Sequence, residues 1–354
     1  MKAAVLHAFG QPFALEDIPD PAAGPGEAVV EVVAARVLPY LRDIVSGARA
    51  YNIKLPAVLG GGAVGRIASL GPDATRLKPG DWVLCDPTLR SRDDALNPDI
   101  ALQGIVARGP GGETLQRRYP GAYADKVLAP LENLHPLGEL GPDEAPRWCA
   151  AGTMLVPYGG LLAVDFRPGE ILVVSGATGS FGGAAVMLGL ALGASAVIAL
   201  GRNAEALAGL ERRFGARVRG LVFTGDVEAD RARIQAAAPG PIDVVLDILA
   251  PQADPASTRA PLLSLREFGR AALMGGQQHE LAVPYDWLMR NSVTLRGQWM
   301  FPRSANASLI ALARAGLLDL SAFRVDAFPL ASIAEALDHA AATAGAFKLT
   351  VVTP

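Results

Sequence analysis

The chain has 354 residues and a formal charge of −3, with 51% hydrophobic and 19% charged residues. So much apolar surface with so little charge excludes a disordered chain, and a weakly negative charge leaves no field for binding nucleic acid. At about 150 residues per domain the length predicts two domains or three, each large enough to bury a core.

The opening Met1-Lys2-Ala3-Ala4-Val5-Leu6 resembles the start of a signal peptide. His7, Gly10, Gln11 and Pro12 break the apolar stretch too early, so a first strand at 3–6 is expected, and a cytoplasmic protein with it. Further strands are predicted at 27–35, 64–70 and 82–85, between Pro25-Gly26, Gly71-Pro72 and Pro79-Gly80. Residues 86–120 are polar, aperiodic and rich in Gly, Pro and Arg. They are expected to form a long loop, capping a site or an oligomer face.

From residue 171 the rhythm changes. Strands at 171–174, 196–200, 220–223, 242–248 and 270–274 alternate with helices at 180–192, 203–214, 227–238 and 255–264. Such alternation predicts an α/β fold with a doubly wound parallel sheet, which a strand at 293–297 extends. Helices at 304–315 and 330–342 and a strand at 348–352 complete the chain. The run from Ile171 to Leu200 carries no charge, and a hydropathy window reads it as a membrane span. Its six glycines divide it into strand, turn, helix and strand, so two buried parallel strands are expected instead.

The turn Ser175-Gly176-Ala177-Thr178-Gly179-Ser180-Phe181-Gly182 fits a dinucleotide fingerprint with Ala177, Gly179 and Gly182 in its three places. Gly179 would let the backbone approach a pyrophosphate, Gly182 would let helix and strand pack closely, and the helix start at Ser180-Phe181 would supply N–H groups. The second strand ends in Leu200-Gly201-Arg202-Asn203, without the carboxylate that would bond a ribose 2′-hydroxyl. Arg202 can instead bond a 2′-phosphate, so NADP(H) is favoured over NAD(H). Gly275-Gly276, at the end of the fifth strand, falls where the carboxyl ends of strands line a nucleotide crevice.

This layout resembles the medium-chain dehydrogenase/reductase superfamily over nearly the whole chain. Pro25-Gly26-Glu27-Ala28-Val29-Val30-Glu31-Val32 is similar to its P-G-E-V-L-V-K-V strand. Gly121-Ala122-Tyr123-Ala124-Asp125-Lys126 looks like its G-A-F-A-E-Y strand, and Pro168-Gly169-Glu170 matches before the nucleotide strand. The resemblance implies a β-rich GroES-like catalytic domain at 1–129 and 295–354, a Rossmann domain at 130–294, and an active site in the cleft between them. It also implies that Thr153 contacts the nicotinamide side, and that the chain forms a homodimer.

Zinc-using members carry C-x-x-D and G-H-E motifs and a later Cys. Here those places read Tyr40-Leu41-Arg42-Asp43, Gly60-Gly61-Gly62 and Cys149, and of the structural zinc lobe only Cys85 remains. Zinc needs three protein ligands, so no metal is expected. Zinc-free relatives mostly reduce quinones, enones and enals. The catalytic candidates are Tyr40, whose phenol takes the first ligand's place and would hydrogen-bond the substrate oxygen, and Asp43, expected to act through structural hydrogen bonds. Tyr51, Tyr158 and Trp299 are weaker candidates, and Gly60–Gly62 reads as a roomy wall. Lys348 and His279 read as solvated surface residues. Three readings stay open: an NADPH-dependent quinone or enone reductase, a metal-free ketone or aldehyde reductase or alcohol dehydrogenase, and an NADPH-binding protein without turnover.

Overall fold

A computed structural model describes residues 1–94, 96–141 and 143–354. They form two compact units, one of residues 1–152, 320–344 and 348–354, the other of residues 153–319 and 345–347.

The first unit begins with strands β1 (Lys2–Leu6), β2 (Ala14–Asp17) and β3 (Glu27–Val37), then helix α1 (Leu41–Val45). Strands β4 (Ala57–Val58), β5 (Ala63–Leu70), β6 (Trp82–Cys85), β7 (Thr88–Arg90), β8 (Ile100–Leu102) and β9 (Val106–Ala107) follow. Then come α2 (Gly109–Arg118), β10 (Lys126–Pro130), β11 (Leu134–Pro136) and α3 (Glu144–Trp148).

The second unit takes most of α4 (Ala151–Ala163), then β12 (Ile171–Ser175), α5 (Ser180–Ala191), β13 (Ala196–Gly201), α6 (Ala204–Phe214) and β14 (Val218–Val222). It continues through α7 (Val227–Ala237), β15 (Ile242–Asp247), α8 (Ala256–Leu263), β16 (Leu265–Leu273), α9 (Tyr285–Arg290), β17 (Thr294–Gly297) and α10 (Ser304–Arg314). The chain then returns to the first unit with β18 (Arg324–Pro329), α11 (Ile333–Ala342) and β19 (Lys348–Thr353).

The second unit holds a wholly parallel sheet in the order β14-β13-β12-β15-β16-β17, the doubly wound Rossmann arrangement. Every residue of β12 and β13 is buried, as strands covered on both faces must be. Val173, Ile198 and Val245 sit in one apolar core with Ile234 and Leu262 from the helices. The uncharged run is therefore sheet and helix, and among the described residues no helix is long and apolar enough to cross a membrane.

In the first unit the sheet runs β11-β6-β5-β3-β19-β18, with β10 also on β3. Two sequence expectations are corrected here. Residues 86–120 are not a long loop: β7, β8 and β9 form an antiparallel sheet, and α2 follows. Leu89, Ala101, Ala107 and Tyr119 pack with Val29 and Leu128 in one core. Strands of two or three residues are too short to show a period, which is why they read as loop. The segment 121–125 is not a strand either. Its backbone threads between Val58, Leu59 and Gly60 on one side and Ala4 on the other, and the strand starts at Lys126.

The units change over at 152/153 and 319/320, where the sequence reading set 129/130 and 294/295. Residues 130–152 stay with the first unit because β10 pairs with β3 and β11 with β6. Strand β17 stays with the second because it pairs with β16. Helix α4 was missed altogether; Pro157 lies inside it and reads as a breaker.

Candidate functional site

In the second unit the carboxyl ends of β12, β13, β15 and β16 lie side by side, with Ser175 across from Leu200 and Asp247, and Asp247 across from Leu273. The turn after β12 starts on Gly176, whose φ of 88° is a conformation that L side chains rarely adopt. Gly176 N and Ala177 N both donate to Leu200 O, at 3.1 and 2.9 Å. A Cβ on Gly182 would lie 2.0 Å from Gly176 O, so only glycine lets α5 start this close to the strand end. Gly179 is exposed, and a Cβ there would meet only Gly176 O at 3.4 Å, which leaves the surface above the helix start open. Ser180 begins α5 and donates its hydroxyl to Gly345 O at 3.2 Å; Phe181 is half-buried. Ala346 N donates to Thr178 O at 3.0 Å, so residues 345–346 clamp the turn, a contact no local motif announces.

The other sequence candidates divide by role. Gly201 ends β13, and a Cβ there would meet Thr178 Cγ2 at 2.6 Å. Arg202 follows it, exposed. Asn203 is the N-cap of α6, its side-chain oxygen accepting from Ala206 N at 3.0 Å. Gly275 faces Asp247, whose Oδ1 would be 2.6 Å from a Cβ, and Gly276 N donates to Leu249 O at 3.1 Å. Thr153 is buried in α4. The turn, the end of β13 and Gly275-Gly276 thus meet at one end of the sheet, a place that fits a dinucleotide: open glycine surface, helix start and adjacent strand ends.

Asp247 was not singled out from the sequence. It is a buried carboxylate ending β15, and it accepts from Leu249 N at 3.1 Å and from the Thr258 hydroxyl. Burial pushes its pKa up. An Asp closing an apolar strand was the available signal.

In the first unit Tyr40 directly precedes α1 and is half-buried. The Arg49 guanidinium lies 4.5 Å from its ring centre and 4.9 Å from that of Tyr51, a cation–π pair of contacts that brings two tyrosine candidates together. Burial, then Tyr51, pushes the Tyr40 phenol up to about 12, while Arg36 and Arg49 pull against that shift. A phenol so placed stays protonated at neutral pH and can donate. Asp43 is exposed on α1, and its hydrogen bonds run through its backbone, from its N to Tyr40 O and from Arg49 N to its O. Tyr158 is buried, Trp299 is partly exposed, and Lys348 and His279 are exposed.

The glycine wall is corrected by its neighbours. A Cβ on Gly60 would lie 2.6 Å from the Tyr123 ring, and one on Gly61 2.0 Å from Ile105 Cδ1. The wall is filled, not roomy, because residues 105 and 123 occupy what the missing side chains vacate. Nearby, Arg36 is buried in β3, a residue the sequence reading passed over although it places a charge within an apolar strand. Its Cζ lies 3.3 Å from where a Gly152 Cβ would stand. Tyr40, Cys149 and Tyr123 are the ionisable groups that act on it. Cys149 is buried, its thiol pushed up to about 12 by burial and directed at Ala34 O, 3.5 Å away. Among the described residues no group of three or more His, Cys, Asp or Glu is placed to hold a metal ion.

Residues 24–139 match the family of the alcohol dehydrogenase GroES-like domain. The chain is 32% identical to an alcohol dehydrogenase of Rhizobium meliloti over 196 residues, 54% of this chain and 55% of the relative. It is 26% identical to an NAD-dependent alcohol dehydrogenase of Sulfolobus acidocaldarius over 78% of each. It is 28% identical to an acryloyl-coenzyme A reductase of Metallosphaera sedula, over 56% of this chain and 58% of the relative. The chain thus spans little more than half the length of several curated relatives it matches. The structure of alcohol dehydrogenase TADH from Thermus sp. ATN1 superposes with a TM-score of 0.81 at 22% identity, over 99% of this chain and all of that one, a likeness of fold. The GroES-like match, the Rossmann sheet order and these relatives together indicate the medium-chain dehydrogenase/reductase superfamily.

Proposed function

We propose that the protein is a nicotinamide-dependent oxidoreductase that draws on NADPH and reduces small quinones, enones or enals without a metal. The observation that carries this reading is the turn 175–182, in which Gly182 is required by packing and Gly179 is left open at a helix start. Gly179, Ser180 and Phe181 would hold the pyrophosphate, and Arg202 the 2′-phosphate. The reduced cofactor, when bound, supplies hydride. Tyr40, protonated, donates to the substrate's oxygen and stabilises the charge that develops there. Relatives named as alcohol dehydrogenases and as an acryloyl-coenzyme A reductase support oxidoreductase chemistry.

The test is NADPH oxidation by the purified protein with quinones, enals, enones and ketones, with and without EDTA. Turnover of conjugated acceptors, unchanged by EDTA, is expected. Turnover confined to ketones and aldehydes would favour the carbonyl-reductase reading, to which the alcohol dehydrogenase relatives lend support. Tight NADPH binding without turnover of any acceptor would overturn the enzyme reading. Because one relative is named NAD-dependent, Arg202→Asp is the check on cofactor choice. We expect its preference for NADPH over NADH to fall about tenfold or more, the worth of one charge-assisted contact.

A further inference from the structure

Residues 345–347 belong with the second unit, while residues 320–344 before them and 348–354 after them belong with the first. What they touch is the dinucleotide turn. Ala346 N donates to Thr178 O at 3.0 Å and Gly179 N donates to Gly176 O at 3.0 Å, so the peptide group between 178 and 179 is held at both its oxygen and its hydrogen. Gly345 O accepts the Ser180 hydroxyl at 3.2 Å. In the first turn of α5, Gly183 makes room for the segment: a Cβ there would lie 2.5 Å from Ala346 Cβ and 2.9 Å from its Cα. Positions 178, 180 and 183 are thus all shaped to one short segment.

Phe347 fastens that segment. Its φ of 59° lies in the left-handed region, which a bulky residue adopts when its surroundings impose it. Here the side chain is buried, and its ring lies 5.8 Å from that of Phe214 at the end of α6. The Arg213 guanidinium carbon stands 5.0 Å from the Phe347 ring centre. Backbone strain held by packing in this way clusters where the position of a segment matters to function.

We propose that residues 345–347 are a strap that holds the phosphate-binding turn in its binding shape, with Phe347 as the positioning residue that keeps the strap seated. The inference rests on the dinucleotide reading above and adds to it a control of affinity from outside the strand, turn and helix that carry the fingerprint. Phe347 acts on the turn through Ala346 and Gly345. The physical cause is preorganisation. A glycine-rich turn has many conformations open to it, and a ligand that must freeze them binds more weakly. With the 178–179 peptide and the Ser180 hydroxyl already fixed, the N–H groups at the start of α5 stand ready, and the ordering cost falls on folding instead of on binding.

The test uses the full chain, in amide hydrogen exchange without cofactor and in NADPH titration followed by quenching of protein fluorescence. In the parent the Ala346 amide should be protected. Gly183→Ala favours helix formation yet pushes on Ala346, and Phe347→Ala releases the contacts with Phe214 and Arg213. In both variants exchange at 179–183 and at 346 should quicken, and NADPH affinity should fall about threefold to tenfold, the worth of one hydrogen bond. Adding Ala346→Gly to Gly183→Ala removes the opposing Cβ and should restore part of the affinity, a recovery that a general loss of stability would not give. In turnover, KM for NADPH should rise while kcat at saturating NADPH holds. Parental affinity in a variant whose turn exchanges faster overturns the proposal, and so does an unprotected Ala346 amide in the parent or unchanged exchange in Gly183→Ala. Should Phe347→Ala fail to fold, Phe214→Ala loosens the same ring contact from the other side and decides by the same two measurements. A parent that binds no NADPH overturns the dinucleotide reading, whereas the exchange measurements need no cofactor, so the two failures are distinguishable.

Discussion

Two glycine-rich turns, one in each unit, look alike on paper and differ in physical purpose. In 175–182, the packing glycine faces backbone (Gly182 against Gly176 O), while Gly179 faces open surface. In 60–62, the space released by missing side chains is taken by the Tyr123 ring and Ile105. The first turn uses glycine to leave room for something that is not protein. The second uses it to let protein close in. A count of glycines cannot separate these cases, but the identity of the nearest atom does, and it also ranks what substitutions should do.

The largest effect is expected at Gly182. A Val there drives into the backbone of Gly176, 2.0 Å from the new Cβ, and backbone cannot rotate aside. Gly182→Val should cost more than about 3 kcal/mol, the upper end for overpacking, seen as a large drop in Tm with loss of NADPH binding. Wild-type stability would remove the basis for reading this turn as a tight packing device.

Restoring histidine at Gly61 tests the other turn. The obstacle is the far end of Ile105, which can shift, so Gly61→His should cost about 1–3 kcal/mol in denaturant unfolding. Ile105→Ala removes the obstacle. The double variant should be more stable than the sum of the two single losses predicts, the mark of two residues competing for one volume. Strict additivity would mean that Ile105 does not fill the wall.

A third test asks what holds the region around the filled wall. Glu27 is buried in β3 and accepts from Arg118 Nε at 2.8 Å, from the Tyr119 hydroxyl at 2.9 Å and from Gly24 N at 2.9 Å, tying α2 to the sheet. The Arg118 guanidinium, first among these, holds its pKa below the ordinary 4.5. A depressed carboxylate contributes stability that is present above the unfolded value and is lost as pH falls through the folded one. Acid unfolding below about pH 4.5 should therefore be blunted in Glu27→Gln, which should also lose about 1–2 kcal/mol at neutral pH. An unchanged acid limb would place the proton uptake elsewhere.

The same contrast explains what the sequence could show. The second unit was legible because parallel strands buried on both faces read as apolar runs, with room for a helix between each pair; 171–174 and 196–200 each fell short of the observed strand by one residue. The segment 86–120 was illegible because its strands β7, β8 and β9 are only two or three residues long and its helix α2 is held by a distant Glu27. At the candidate site, the phosphate turn was visible as local spacing. Arg36 was not, because its meaning comes from Tyr123, Cys149 and Gly152, which lie far along the chain. Its one local sign was a charge interrupting the apolar run of β3.

Gly179→Ala should have the smallest effect on stability and is the cleanest test of openness. The residue has φ −83° and ψ 171°, extended backbone that alanine adopts freely. Alanine narrows the unfolded ensemble, which stabilises by about 0.4–1 kcal/mol. It is also a poorer N-cap than glycine, which costs a similar amount at the start of α5. With Gly176 O as the one contact, at 3.4 Å, the two terms should nearly cancel, leaving Tm almost unchanged. A methyl group would nevertheless stand where the pyrophosphate backbone must approach. NADPH affinity should therefore fall by about tenfold, read by quenching of protein fluorescence. A variant with parental Tm and parental affinity would show that the open surface at Gly179 is not where the dinucleotide lies, and with it the difference between the two turns would lose its functional meaning.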